Sequence, residues 1–153
     1  MPDFDAIAAA IATRYAPAQV TPPAGLQNIR SSSADLPQAI NSGRALLRPV
    51  VLVFPDQGEL TPSSGGLRRG VSRWLVRFYL TISKDLPRET NALRKWLTVL
   101  VDQHKTSLQL GGTVVAVRTL SWRIALLPYA GRMYAGIELG VETITDDTWS
   151  PIA

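Results

Sequence analysis

The side chains most often used for catalysis are few in this chain: one histidine, no cysteine and twelve carboxylates. His104 would have to be the base of any Ser-His-Asp arrangement, or the sole imidazole of a metal site. Its place on or beside an apolar helical stripe fits a structural histidine better. Without thiols there is no thiolate nucleophile, no Cys-ligated metal and no disulfide framework. Asp85, Glu89, Asp102, Glu138, Glu142, Asp146 and Asp147 are scattered, and the densest pair, Asp146-Asp147, has no neighbouring ligand to complete a cation site. Glu138 and Glu142 share a strand face but stand about 13 Å apart by strand rise, too far for the paired carboxylates of a glycosidase. Gly65-Gly66 precedes a strand and Gly111-Gly112 follows a helix, so neither is a strand-to-helix phosphate loop. The expectation is a non-enzyme with no cofactor and no metal.

The arginines are the remaining chemistry. They make up thirteen of the sixteen cations in a chain of net charge +4, and guanidinium groups favour fixed contacts with carboxylates or phosphates. At strand spacing Arg69, Arg73 and Arg77 fall on one face with Tyr79 beside them, the pattern of a basic stripe with an aromatic for nucleic acid. The same residues also fit the solvated outer face of an antiparallel sheet, or a surface for a protein partner. High-GC coding would equally favour arginine over lysine.

The elements that must position these groups follow from periodicity. Phe4, Ile7, Ala8, Ile11 and Tyr15 predict a first helix over 1–16, capped by Asp3 and ended by Pro17. Residues 17–49 show neither helical nor strand period, yet Val20, Leu26, Ile29, Leu36, Ile40, Leu46 and Leu47 are spaced through them. Such a segment is too long for an ordinary loop and too apolar for a solvated linker. It is expected as an extended arm over its own sheet or an adjacent subunit, with Leu26, Ile29, Leu36 and Ile40 as its inter-subunit contacts.

PVVLVFP, 49–55, predicts a strand buried on both faces. DQGELTPSSGGLRRG, 56–70, is expected as a long polar loop whose Asp56, Glu59, Leu60, Leu67, Arg68 and Arg69 supply contact groups for a partner. In VSRWLVRFYLTIS, 71–83, Trp74, Val76, Phe78, Leu80 and Ile82 form an inward face, and Arg73, Leu75, Arg77, Tyr79 and Thr81 the other. A second helix is expected over 88–110, with Thr90 and Asn91 as candidate caps. Leu93, Trp96, Leu97, Leu100, Val101, His104 and Leu108 form its stripe, and Gly111-Gly112 closes it. TVVAVRTLSWRIALL and RMYAGIELGVETI then make an antiparallel hairpin about the turn Pro128-Tyr129-Ala130-Gly131, with Ile137, Leu139 and Val141 facing inward.

At 153 residues, 46% hydrophobic and 18% charged, the chain has the length and composition of one folded domain. The fold class expected is α+β: an antiparallel sheet of about four strands covered by two helices, with a core over 50–145 and a tail over 146–153. The N-terminus lacks the basic flank of a signal peptide, and no apolar run approaches the roughly 20 residues that span a bilayer.

Four segments taken in order resemble the tail terminator proteins of long-tailed bacteriophages, a family that itself resembles neck and tail-completion proteins. They are DFDAIAAAIATRY, AINSGRALLRPVVLVFP, FYLTISKDLPRETNALRKWLTVLVDQH and LGGTVVAVRTLSWRIALLPYAGRMYAGIELGVETI, together roughly two thirds of the chain. The resemblance implies a virion protein assembled in the host cytoplasm. It would form a hexameric ring that caps the tail tube, contacts the tube protein and a neck or head-completion protein, and lets DNA pass its lumen without sequence-specific binding. It implies no catalytic residues and no membrane. Ser42-Gly43-Arg44 departs from the tighter Pro-containing turn expected before the first strand. Two alternatives stand beside it: a head-side neck or stopper protein, and a small nucleic-acid-binding protein using the Arg69, Arg73, Arg77 face.

Overall fold

The computed structural model describes residues 3–35, 48–62, 67–106, 110–112 and 114–148. Its elements, in order, are α1 (Phe4–Arg14), β1 (Ser31–Ser33), β2 (Val50–Pro62), β3 (Leu67–Ile82), α2 (Leu86–His104), a 3-10 turn (Leu110–Gly112), β4 (Ala116–Tyr129) and β5 (Arg132–Thr148). The strands form a single sheet in the order β1-β2-β3-β5-β4. The α+β class is as expected. The sheet has five strands rather than about four, and it is mixed, because β1 runs parallel to β2 at Ser31↔Val50 while the other pairings are antiparallel. Three serines carry no hydrophobic alternation, so nothing in their side chains announces a strand, which joins the sheet through its backbone.

Both helices cover one face of the sheet. Asp3 caps α1 by accepting the Ala6 N–H at 3.0 Å. Asp85, not Thr90 or Asn91, caps α2: its carboxylate accepts the Arg88 N–H at 3.2 Å, and Pro87 sits in the first turn where its missing N–H costs nothing. The helix ends at His104, before the glycine pair. Gly112 instead takes φ +89° at the close of the 3-10 turn.

Ile7 and Ile11 of α1, its C-cap Tyr15, and Leu93, Trp96 and Leu100 of α2 meet Val51, Val53, Trp74, Val76, Phe78, Ile137, Leu139 and Val141 of the sheet in one buried core. Trp96 stacks at a 42° tilt on Phe78 with ring centroids 4.8 Å apart. The inward set read from β3 holds through Phe78. Tyr79 is buried on the opposite face, where the alternation puts it; a bulge between Tyr79 and Thr81 then breaks the alternation and leaves Ile82 exposed.

The arm is a covering segment where it is described. Val20 and Ile29 are buried in the chain's own core and Leu26 packs against it, so these residues follow the first of the two expectations, coverage of their own sheet. Asn28 ties the arm down by donating to the Pro17 carbonyl at 3.1 Å, and Ser32 donates to the Ala12 carbonyl at 2.6 Å. Leu36, Ile40, Leu46 and Leu47 lie outside the described residues.

The long polar loop expected over 56–70 is instead mostly strand. β2 and β3 stay paired from Val50↔Tyr79 to Pro62↔Arg68, with a bulge at Asp56, and β5 runs beside β3 as far as Leu67↔Thr148. The expected tail therefore also begins as strand. Polar residues on both faces of a ribbon give no period-2 hydrophobic signal, yet backbone pairing to a third strand holds it. Among the described residues no helix is long and apolar enough to cross a membrane.

Candidate interaction surface on the helix-free face

The sheet face opposite the helices holds an apolar aromatic patch and a field of ion pairs. Val50, Leu52, Tyr79, Leu127 and Tyr134 form the patch, with Phe54, Ala125 and Tyr129 against it. Tyr79 meets Tyr134 edge-on at 5.3 Å and Tyr129 at 6.0 Å, the geometry that opposes ring edges to ring faces. Burial raises the Tyr79 hydroxyl above the ordinary tyrosine range against the opposing pull of Arg77.

Register explains the ion pairs. Arg69, Arg73 and Arg77 of β3 stand directly opposite Asp146, Glu142 and Glu138 of β5. Arg69 Nε donates to Asp146 at 3.0 Å, and Arg77 Nε donates to Glu138 at 2.8 Å. Arg123 of β4 donates to the other oxygen of Glu138 at 3.0 Å. Arg73 pairs with Asp56, at the β2 bulge, across 3.4 Å. The Arg77 guanidinium also lies 5.0 Å above the Phe54 ring, joining the two halves of the face.

Burial pushes the Glu138 carboxyl up, but hydrogen bonds from Arg123 and Arg77 outweigh it and hold the group below the usual carboxylate range. Arg77 is likewise depressed by burial and raised on balance by Glu138 and Tyr79. Two glycines make the close packing feasible. A Cβ at Gly136 would fall on the Phe78 carbonyl oxygen, and one at Gly140 would meet the Arg73 guanidinium, which lies across it.

The expected basic stripe is thus on one face, and its cations are matched by Asp56, Glu138, Glu142 and Asp146 on the same face. A phosphate backbone would have to displace these carboxylates, which weakens the nucleic-acid reading. Among the expected partner-contact residues, Asp56, Glu59 and Leu60 are exposed on β2 and Arg69 on β3, while Leu67 and Arg68 enter β3 opposite Thr148 and Asp147. Sequence reasoning missed Glu138 as the acceptor of two guanidinium groups, although the alternation of β5 had already put it on the polar side. It placed Tyr79 on this face but missed the tyrosine cluster, because Tyr129 and Tyr134 reach Tyr79 only through cross-strand neighbours.

No cluster of three histidine or acidic side chains suited to a metal occurs among the described residues. His104 lies on the helix side, buried, with Nδ1 3.2 Å from Arg14 Nη1. No known protein-family model matches the chain, and no curated protein matches it in sequence.

Proposed function

We propose that this chain is a structural subunit of a phage tail. In this reading it is a tail terminator that forms a hexameric ring, caps the tail tube and joins it to the neck or head-completion protein. DNA passes its lumen without base-specific contacts, and the chain catalyses no reaction.

The observation that carries this reading is the ribbon of β2, β3 and β5. Phe4 at the start of α1 lies over Trp74 at 6.4 Å. Toward the tip, 55–61 are exposed while remaining paired to β3. An exposed, backbone-paired three-stranded ribbon continuous with a packed core suits contact with protein partners better than it suits a substrate pocket. The order of the four resembling segments supports the same assignment, and the internal pairing of the arginine stripe favours a protein-facing surface over a phosphate-binding one.

The test is capping. Purified protein is added to tail tubes assembled without a terminator, and tube length and ends are followed by electron microscopy. Tubes that stop growing and carry a terminal ring support the reading. Tubes that lengthen unchanged while the protein binds isolated head connectors would assign it to the head side of the joint.

A further inference from the structure

The sheet has two open edges of complementary character. On one side β5 is the only pairing partner of β4 among the described residues, and Arg118, Thr119, Ser121, Trp122 and Arg123 are exposed. On the other, β1 pairs with β2 only over Val50–Leu52, so the exposed stretch 55–61 has no outer neighbour among the described residues. Among the described residues Trp122 and Leu60 are the two most exposed large hydrophobic side chains, at 54% and 58%, and each stands at one of these edges. A monomer gains nothing by leaving them there.

From these edges we infer that copies of this chain join head to tail by sheet continuation, the β4 edge of one copy pairing with the 56–61 stretch of β2 in the next. The inference rests on the ring reading and names the surface that would build it.

Strand direction supports it. β2, β3, β5 and β4 alternate in direction across the sheet, so a second copy placed beside the first in the same orientation brings its β2 antiparallel to β4. Side-chain parity supports it too. Trp122 is paired to Leu139 and Leu60 to Gly70, itself paired to Thr145, so both point to the helix side of the sheet. Placing Trp122 opposite Leu60 then sets Arg123 opposite Glu59 on the other face, and Ser121 opposite Thr61. Pro55 and Pro62, which cannot donate to a ladder, bound the pairing window and fix its register. The contact is heterologous, so successive copies are related by one constant rotation, which builds a ring when that rotation divides a full turn.

The chain has no cysteine, which makes disulfide trapping clean. The double variant Thr61→Cys, Ser121→Cys is mildly oxidised at high concentration and run on a non-reducing gel beside each single variant. The expected result is a ladder of oligomers from the double variant that ends at a ring, with no ladder from either single. Adding Glu59→Arg, which faces Arg123 with a like charge, should reduce the ladder several-fold while the melting temperature stays unchanged. A dimer from Ser121→Cys alone would mean that β4 pairs with itself, and would overturn the inference. So would oligomers detected by light scattering without the ladder, or a chain that stays monomeric. The ring reading itself falls only if the wild-type chain also fails to cap tubes.

Discussion

Arg14 and His104 meet in the interior where α1 ends against the end of α2, Nη1 to Nδ1 at 3.2 Å. The guanidinium can only donate, so Nδ1 accepts, and His104 is neutral with its proton on Nε2. Gln103 adds a second tie between the helices by donating to the Arg14 carbonyl at 2.7 Å. Burial, and secondarily the Arg14 charge, lowers the His104 pKa from 6.5 to about 4, while burial pushes the neighbouring Tyr15 hydroxyl up to about 12.

This contact gives the protein an acid-sensitive joint. Between pH 6.5 and about 4 the unfolded chain binds a proton at His104 that the folded chain does not. The associated stability is therefore complete above pH 6.5 and is lost as pH falls through that window. Urea midpoints measured from pH 8 to pH 4 should decline there. His104→Gln, which keeps an acceptor but cannot titrate, should flatten the decline. An equal slope in both proteins would locate the sensitivity elsewhere.

Trp96 should be the most expensive single truncation in the helix layer. It is fully buried on Phe78, and its indole N–H has no hydrogen-bond partner among the described residues. Trp96→Ala should cost about 3–5 kcal/mol. Trp96→Phe should cost markedly less, since it keeps the ring and loses no polar contact. Thermal melts of the two variants make the comparison, and equal losses would refute the packing argument.

Gly136 and Gly140 differ in what surrounds them. The atom above Gly136 is backbone, the Phe78 carbonyl oxygen, whereas Gly140 lies beneath the flexible end of Arg73 and the Ser121 hydroxyl. Gly136→Ala should destabilise by about 1–3 kcal/mol through overpacking. Gly140→Ala should be milder, because a side chain can swing away. Denaturant midpoints of both variants would show the reverse order if the backbone yields more readily than Arg73.

Ion pairs on the same face should differ in worth. Glu138 is 13% exposed and accepts from two guanidiniums, whereas Asp146 is 34% exposed and serves Arg69 at the solvated end. Glu138→Ala should cost about 1–3 kcal/mol, since it leaves half-buried Arg77 without its carboxylate. Asp146→Ala should cost less than about 1 kcal/mol. Double-mutant cycles for Arg77 with Glu138 and for Arg69 with Asp146 measure the difference, and equal coupling would show that burial does not govern it.

Sequence reading recovered the elements whose side chains repeat against a core. The stripe of α2, the inward set Trp74, Val76 and Phe78, and the alternation of Ile137, Leu139 and Val141 are set by burial on one side. β1 and the outer halves of β2 and β3 lacked that signal because Ser31–Ser33 and 56–61 are polar and are held by main-chain pairing. The helix boundary was misplaced because Asp85 followed by Pro87 is a better start than Thr90, while the stripe alone says nothing about where capping occurs. Of the candidate surface, the arginine stripe was legible from spacing. Its pairing with Glu138 and Asp146 was not, since cross-strand register is not encoded within either strand.

The strand that joins β3 to β4 follows both of them in the chain. β5 lies between β3 and β4 and pairs with both along nearly its full length, yet both precede it in sequence. Without β5, β3 and β4 each face an empty slot. Closing it demands contacts between residues as far apart as Leu67 and Thr148, so a large share of the loop-closure entropy of folding falls on the entry of β5. Until β5 enters, the facing edges of β3 and β4 are open to neighbouring chains, so conditions that keep β5 out of the sheet should favour association over refolding.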